Sequence, residues 1–416
     1  MTAPVAAALD APWLKEGAVA RLLALLNRDG EQARVVGGAV RNTLLGLPVA
    51  EIDVATTALP EEVMRRVQAA GGKAAPTGIE HGTITAIVDH HPVEVTTLRE
   101  DVETFGRKAR VVFGRDWKAD AERRDFTINA LSAGLDGKVH DYVGGLADIA
   151  AQRVRFIGEP RRRIEEDYLR ILRFFRFHAH FGAGPPDPAG VHACILARAG
   201  LETLSRERVR MELLKLLLAA RATPTLAVMA ESGLLSMVLG GVAHLASFEN
   251  MIKLEAAVGL KADAVRRLGA LGVWVEEDAE RLGERLRLTN AESERLLALE
   301  GWWRVAPEPD ARAARALLYK IGSQSFVDRV LVAWIRSEAG AAVTAWHELA
   351  TLPLRWPAPV FPLKAADFMS IGIAAGPPLG AAMRAAEAAW IAADFPADRA
   401  AIDAIAREAA QRAMAR

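Results

Sequence analysis

Hydrophobic positions along this chain change rhythm once, near residue 155. Before it, short β-branched apolar runs alternate with amphipathic stretches; after it, Ala, Leu and Arg recur with a 3.6-residue period. Residues 18–27 carry the helical period early. Val35 and Val36 read as a short buried strand running into Gly37 and Gly38, and residues 39–45 read as the first turns of a helix. Residues 60–70 predict a further helix, with Pro60 and Glu61 at its start and Gly71-Gly72 at its end. Residues 83–88 and 93–98 are rich in β-branched residues around Asp89-His90-His91-Pro92, which is a hairpin pattern. Past residue 155 the helical period breaks at 182–188 and in the Pro-rich stretch 352–362. The pattern predicts an α/β head over residues 1–150, its sheet mixed or antiparallel, followed by an all-helical arm.

Composition narrows the chemistry. The 416 residues hold 52 Lys and Arg against 52 Asp and Glu, so no global field draws the protein to nucleic acid. Residues 151–220 are the exception, a locally basic stretch. The one cysteine, Cys194, excludes an internal disulfide and fits a reducing compartment. No apolar run reaches the ~18 residues of a membrane span, and no basic-then-apolar leader pattern opens the chain. A soluble cytoplasmic protein without a membrane partner is expected.

Four clusters carry candidate chemistry. The first is Gly37-Gly38-Ala39-Val40-Arg41. It reads either as a tight turn or as a cradle whose glycines and helix N–H groups approach a phosphate. The second is Glu51-Ile52-Asp53, whose carboxylates project from one face if the segment is a strand. Two such groups beside a phosphate suit a bridging divalent metal. Glu94, between Val93 and Val95, faces solvent or joins them as metal ligand or general base. The third cluster, Arg123-Arg124-Asp125-Phe126-Thr127-Ile128-Asn129-Ala130, offers adjacent guanidiniums to a polyphosphate, or is a charged turn.

The fourth cluster places Asp167, Arg170, Arg173 and Arg176 at three-residue steps, a polar stripe along one helix. It reads as a solvated ion-paired face or as a base reader. Cytosine and adenine both present an exocyclic amine, whereas uracil presents an acceptor there. An Asp accepting from that amine beside an Arg donating to the ring nitrogen admits CTP and ATP and rejects UTP and GTP.

Together these segments, with Asp141-Tyr142-Val143-Gly144-Gly145 and with Ser205-Arg206-Glu207-Arg208-Val209 plus Glu212 and Lys215, resemble the class II tRNA nucleotidyltransferase and bacterial poly(A) polymerase family over residues 30–215. The resemblance implies a nucleotidyltransferase-like head, a neck over 151–220 carrying a nucleobase template, and a body and tail over 221–416 that bind tRNA. It implies transfer of a nucleoside monophosphate to an RNA 3′-hydroxyl with release of pyrophosphate. Two Mg²⁺ ions on Glu51 and Asp53 follow from it, about 3.5–4 Å apart in such sites. Gly38, Arg41 and Arg124 would meet the triphosphate, Asp167 and Arg170 the base, and Arg173 and Arg176 would support that template. Glu94 maps onto a third catalytic carboxylate.

One position departs from the family pattern. Glu51 stands where the family has Asp, and its extra methylene moves the carboxylate by more than the ~0.5 Å that catalytic geometry tolerates unless the strand compensates. Among family members, CCA addition to tRNA from CTP and ATP is the expected activity. Residues 100–116, long and charged, match a flexible loop that switches the pocket between the two nucleotides. Poly(A) synthesis, partial CC or A addition, and a catalytically dead RNA-binding protein are the alternatives. Residues 400–416 show no basic run of the kind poly(A) polymerases carry. Arg206, Arg208, Arg210 and Lys215 are candidate RNA contacts or a solvated helix face. Trp302, Trp303 and Trp356 read as packing residues, and His90-His91 as a polar turn.

Overall fold

The computed structural model describes residues 9–105, 108–337 and 343–414. Contacts divide it into two compact units, one running to Val238 and the other starting at Leu239. The first unit holds β1 (Ala33–Val36), β2 (Asp53–Thr56), β3 (Lys73–Gly78), β4 (Thr83–Val88), β5 (His91–Thr97), β6 (Arg99–Phe105), β7 (Lys108–Phe113), β8 (Ser132–Ala133) and β9 (Val139–His140). Seven of them form one sheet in the order β3-β4-β5-β2-β1-β8-β9, and β6 and β7 form a separate ribbon. Within the large sheet only β2 and β5 run parallel, so the sheet is mixed as expected.

Local sequence explains most of these elements. The helices Gly17–Leu26, Gly38–Leu44 and Pro60–Ala69 place Leu22, Leu23, Val40, Val63 and Val67 in one core with Val35, Val54, Ile84 and Val95 of the sheet. Pro60 opens its helix and Glu61 and Glu62 occupy the first turn, where they favour the positive end of the helix dipole. Asp89 and His90 both adopt positive φ, 50° and 65°, the backbone that lets a two-residue turn follow strand twist. Several strands escape the sequence pattern, β3, β6 and β7 among them. β3 is an edge strand containing Pro76, without the β-branched alternation that signals a strand. The charged segment 100–116, read above as a loop, is largely the β6–β7 ribbon; Gly106 and Arg107 lie outside the described residues.

Two further readings are corrected. Glu51 precedes β2, which begins at Asp53. The helix of the arginine stripe spans Leu169–Phe181, so Asp167 lies off it. Asp167 sits in the break after the helix Pro160–Glu166, with extended backbone, and its Oδ1 accepts from the Leu169 N–H at 3.1 Å. The helix is joined to the head by an aromatic cluster. Phe126 is fully buried, with its ring centroid 5.0 Å from Phe156, 5.2 Å from Phe177 and 6.3 Å from Phe174.

The described part of the second unit is helical, without strands. Its longest helix, Ala311–Arg336, bends at Gly322, and Arg266, Arg267, Glu255 and Asp328 form a buried ionic lattice with Nε–O distances of 2.8 Å. Trp302 packs edge-on to Trp274 beneath Arg336, whereas Trp303 is 48 % exposed and is no core residue. Among the described residues no helix is long and apolar enough to cross a membrane.

Phe126→Ala should destabilise the first unit by about 3–5 kcal/mol, the usual loss for a buried phenylalanine. Phe126→Leu should lose clearly less. Urea unfolding followed by amide exchange in the sheet reads the difference; two near-zero values would show that the aromatic cluster does not hold head and neck helix together.

Candidate active site

The glycine turn is a backbone requirement first. Gly37 has φ 69° and ψ −122° where β1 gives way to the helix Gly38–Leu44, and a Cβ there would stand 3.2 Å from Arg124 Nη1. A side chain would therefore be strained by the backbone and crowd the arginine. One turn into the helix, Arg41 is buried. Its guanidinium donates to the side-chain oxygens of Asn129 and Asn42 and lies 4.0 Å from the Phe181 ring centroid. Burial and the neighbouring Arg176 push its pKa down to about 10, against the pull of Asp125. It remains a cation at neutral pH, with surplus positive charge that an anion would neutralise.

The acidic half comes from the sheet. Parallel pairing of β2 with β5 sets Asp53 in register with Glu94. Glu51 and Asp53 line the same cleft although Glu51 precedes the strand. Surrounding protein desolvates the Asp53 carboxyl and raises its pKa; Glu94 and Glu51 push the same way, and Arg124 opposes them. Among the described residues neither Glu51 nor Asp53 is hydrogen-bonded or ion-paired through its carboxylate, and no three His, Cys, Asp or Glu side chains form a ready-made metal cage. Two uncompensated acids fit a cation that draws its other ligands from a substrate.

A chain of polar contacts ties this head to the neck helices. Asn129 donates to Asp125 Oδ1 at 3.1 Å, and Arg173 donates to Asp125 Oδ2 through Nε at 2.8 Å and Nη2 at 2.5 Å. Burial favours the neutral form of Asp125, but Arg173 and Asn129 more than offset it and hold its pKa low. Arg173 also lies 3.8 Å from Glu212, which accepts from Arg176 Nε at 2.5 Å. Arg163 donates to the backbone carbonyls of Arg123 and Arg124, fixing the turn that carries Arg124.

These contacts enclose a cleft of about 640 Å³. Of the residues singled out in the sequence, Gly38, Arg41, Glu51, Asp53, Arg124, Asp167, Arg170 and Arg173 line it. Arg176 does not, being turned to Glu212, and Glu94 lines a neighbouring cleft instead. Arg208, read above as an RNA contact, faces the cleft and donates to Asp167 Oδ2 at 2.6 Å. Arg206, Arg210 and Lys215 do not line it. Arg170 is paired with Glu166 at 2.5 Å rather than with Asp167. Asp125 and Asn129 of the arginine cluster, Glu166 at the head of the template motif and Glu212 were read from sequence only as motif members, without individual roles.

Known proteins resemble this chain along most of its length. Residues 33–155 match the family described as "Poly A polymerase head domain", and residues 191–245 match "Probable RNA and SrmB- binding site of polymerase A". The mitochondrial CCA tRNA nucleotidyltransferase 1 of Homo sapiens is 32% identical over 393 residues, 89% of this chain and 85% of that protein. A CCA-adding enzyme of Limosilactobacillus fermentum is 32% identical over 376 residues, 87% of this chain and 89% of its own. Among solved structures, the Bacillus stearothermophilus CCA-adding enzyme in complex with CTP superposes with a TM-score of 0.75 at 27% identity, covering 98% of this chain and all of that one. The chain belongs to the family of tRNA nucleotidyltransferases and poly(A) polymerases.

Proposed function

We propose that this protein adds C, C and A to the 3′ end of tRNA, using CTP and ATP and releasing pyrophosphate. The observation that carries the reading is one cleft in which the carboxylates of Glu51 and Asp53, several arginine guanidiniums and the Asp167–Arg170 segment converge. The reaction forms a bond from the RNA 3′-oxygen to the α-phosphorus and breaks the bond from that phosphorus to the bridging oxygen of pyrophosphate. Arg41 and Arg124 neutralise the triphosphate beside the Gly37 turn and keep it extended. Asp167 accepts from the exocyclic amine of cytosine or adenine while Arg170 donates to the adjacent ring nitrogen. Arg208 and the Leu169 N–H hold the Asp167 carboxylate in place and leave it lone pairs for the base. Arg173 and Arg176 support this template through Asp125 and Glu212.

Glu51 and Asp53 are the residues to hold Mg²⁺, two ions in the two-metal scheme. The bound metal supplies a lowered pKa for the attacking hydroxyl and charge stabilisation for the departing pyrophosphate. The crowding of Asp53 by Glu94 and Glu51 supports this assignment. Glu94 serves as the third catalytic carboxylate. In domain terms, residues 1–150 are the catalytic head, 151–220 the neck, and 221–416 the body and tail. Arg206, Arg210 and Lys215 contact tRNA by phosphate and shape. A cytoplasmic location is supported by the single cysteine, Cys194, which is buried.

A tRNA lacking its terminal CCA should accept CMP and AMP from this protein and neither UMP nor GMP, as read by sequencing the products. Long adenylate tails on unrelated RNA without cytidine would overturn the assignment. Asp53→Asn should lower transfer by at least ~100-fold, since even outer-shell changes at metal sites lose 10–100-fold. The same change should stabilise the metal-free protein. The Asp53 pKa is raised on folding, so its ionised form lowers stability as pH climbs above the ordinary carboxylate range. At pH 7 the Asn variant should melt higher than the wild-type protein without Mg²⁺ and gain little when Mg²⁺ is added. Calorimetry with and without Mg²⁺ checks both; a lower metal-free midpoint would contradict the crowding.

A further inference from the structure

Behind the carboxylates lies a second cleft. Glu51 and Asp53 line the arginine-rich cavity and also a neighbouring one of about 740 Å³, walled by Trp13, Glu16, Thr85, His91 and Glu94. Charge separates the two. Arg41, Arg124, Arg170, Arg173 and Arg208 face the first, whereas among the described residues no lysine or arginine lines the second. A triphosphate finds no counter-charge there. The uncharged part of a nucleotide, its ribose hydroxyls and base, does fit such a wall.

We propose that the second cleft seats the 3′-terminal nucleoside of the acceptor RNA, with Trp13 as the surface on which its base stacks. The inference rests on the nucleotidyl-transfer reading above. Trp13, in the helix Pro12–Lys15, is half-buried, packed against the core that carries the sheet and also lining the cleft. An indole fixed by the core offers a flat surface at low ordering cost. Stacking is also tolerant of sequence, because every base has a π face. An acceptor site needs that tolerance, since the terminal nucleotide changes after each addition. Glu94, in register with Asp53, borders this cleft and not the first, which sets it on the side of the attacking hydroxyl. The carboxylates then stand at the seam between hydroxyl and α-phosphate. Trp13 is a positioning residue in this arrangement.

The test is CMP addition to a tRNA lacking CCA, whose 3′-terminal nucleotide either carries its base or is an abasic ribose. For the wild-type protein the abasic acceptor should show a KM about tenfold higher, the scale on which one stacked base contributes. Trp13→Ala should raise the KM of the normal acceptor by a similar factor, with the KM for CTP held within about twofold. The abasic acceptor should then bring no further loss. Trp13→Phe, which keeps an aromatic face, should recover most of the difference, and circular dichroism of both variants controls for folding. Equal abasic penalties in the wild-type protein and a folded Trp13→Ala would overturn the proposal. So would a rise in the KM for CTP alone, which would make the cleft part of the nucleotide site. Failure of the wild-type protein to transfer CMP to either acceptor would instead overturn the underlying activity.

Discussion

The ion pair between Asp125 and Arg173 is the contact on which the cleft depends. Asp125 belongs to the head, in the turn that carries Arg124; Arg173 belongs to the neck helix Leu169–Phe181. From Asp125 the contacts run through Asn129 to Arg41 on the glycine helix, and from Arg173 to Glu212 and Arg176. One continuous polar chain thus links Arg41 to Arg173 and Arg176 of the helix that also carries Arg170. Desolvated ions of this kind are unfavourable unless paired well, so the chain tolerates few other arrangements. The fully buried Phe126, next in sequence to Asp125, secures the same junction by packing. Polar pairing sets the register and aromatic packing holds it.

Charge is distributed unevenly around Glu51 and Asp53. The arginines gather on one side of Glu51 and Asp53, and an acidic, partly aromatic wall occupies the other. Among the described residues neither carboxylate has a hydrogen-bond or ion-pair partner, and Arg124 only partly offsets the charge at Asp53. Asp53 is pushed toward its neutral form by burial and by Glu94, a strain that a divalent cation would relieve. Stability is surrendered at Asp53 for a charge that the proposed chemistry uses. The surplus cation at Arg41 is the complementary case, which an anion such as the proposed triphosphate would relieve.

Much of this was legible in the sequence where the determinant is local. The glycine pair and the hairpin around Asp89 follow from backbone geometry within a few residues; Glu51 shares the cleft with Asp53 although it precedes the strand. What stayed hidden depends on partners far apart in the chain. Asp125 meets Arg173 across 48 residues and Asp167 meets Arg208 across 41, so neither pairing leaves a periodic trace. The stripe of Asp167 and three arginines misled for a local reason. Asp167 bonds the Leu169 N–H and stays extended, so the acid sits ahead of the helix and each arginine finds a different acid. The β6–β7 ribbon was concealed by charged residues in positions that usually mark a loop, and β3 by its proline.

Asp125 and Arg173 are inferred to act as one unit that registers the proposed base reader over the carboxylates. A double-mutant cycle on nucleotide choice addresses it: kcat/KM for CTP and for UTP in Asp125→Asn, Arg173→Gln and the double variant. Each single change should lower the CTP-over-UTP preference about tenfold, and the double variant should lose no more than either alone. Additive losses, or single variants that keep their nucleotide preference while losing overall rate, would contradict it.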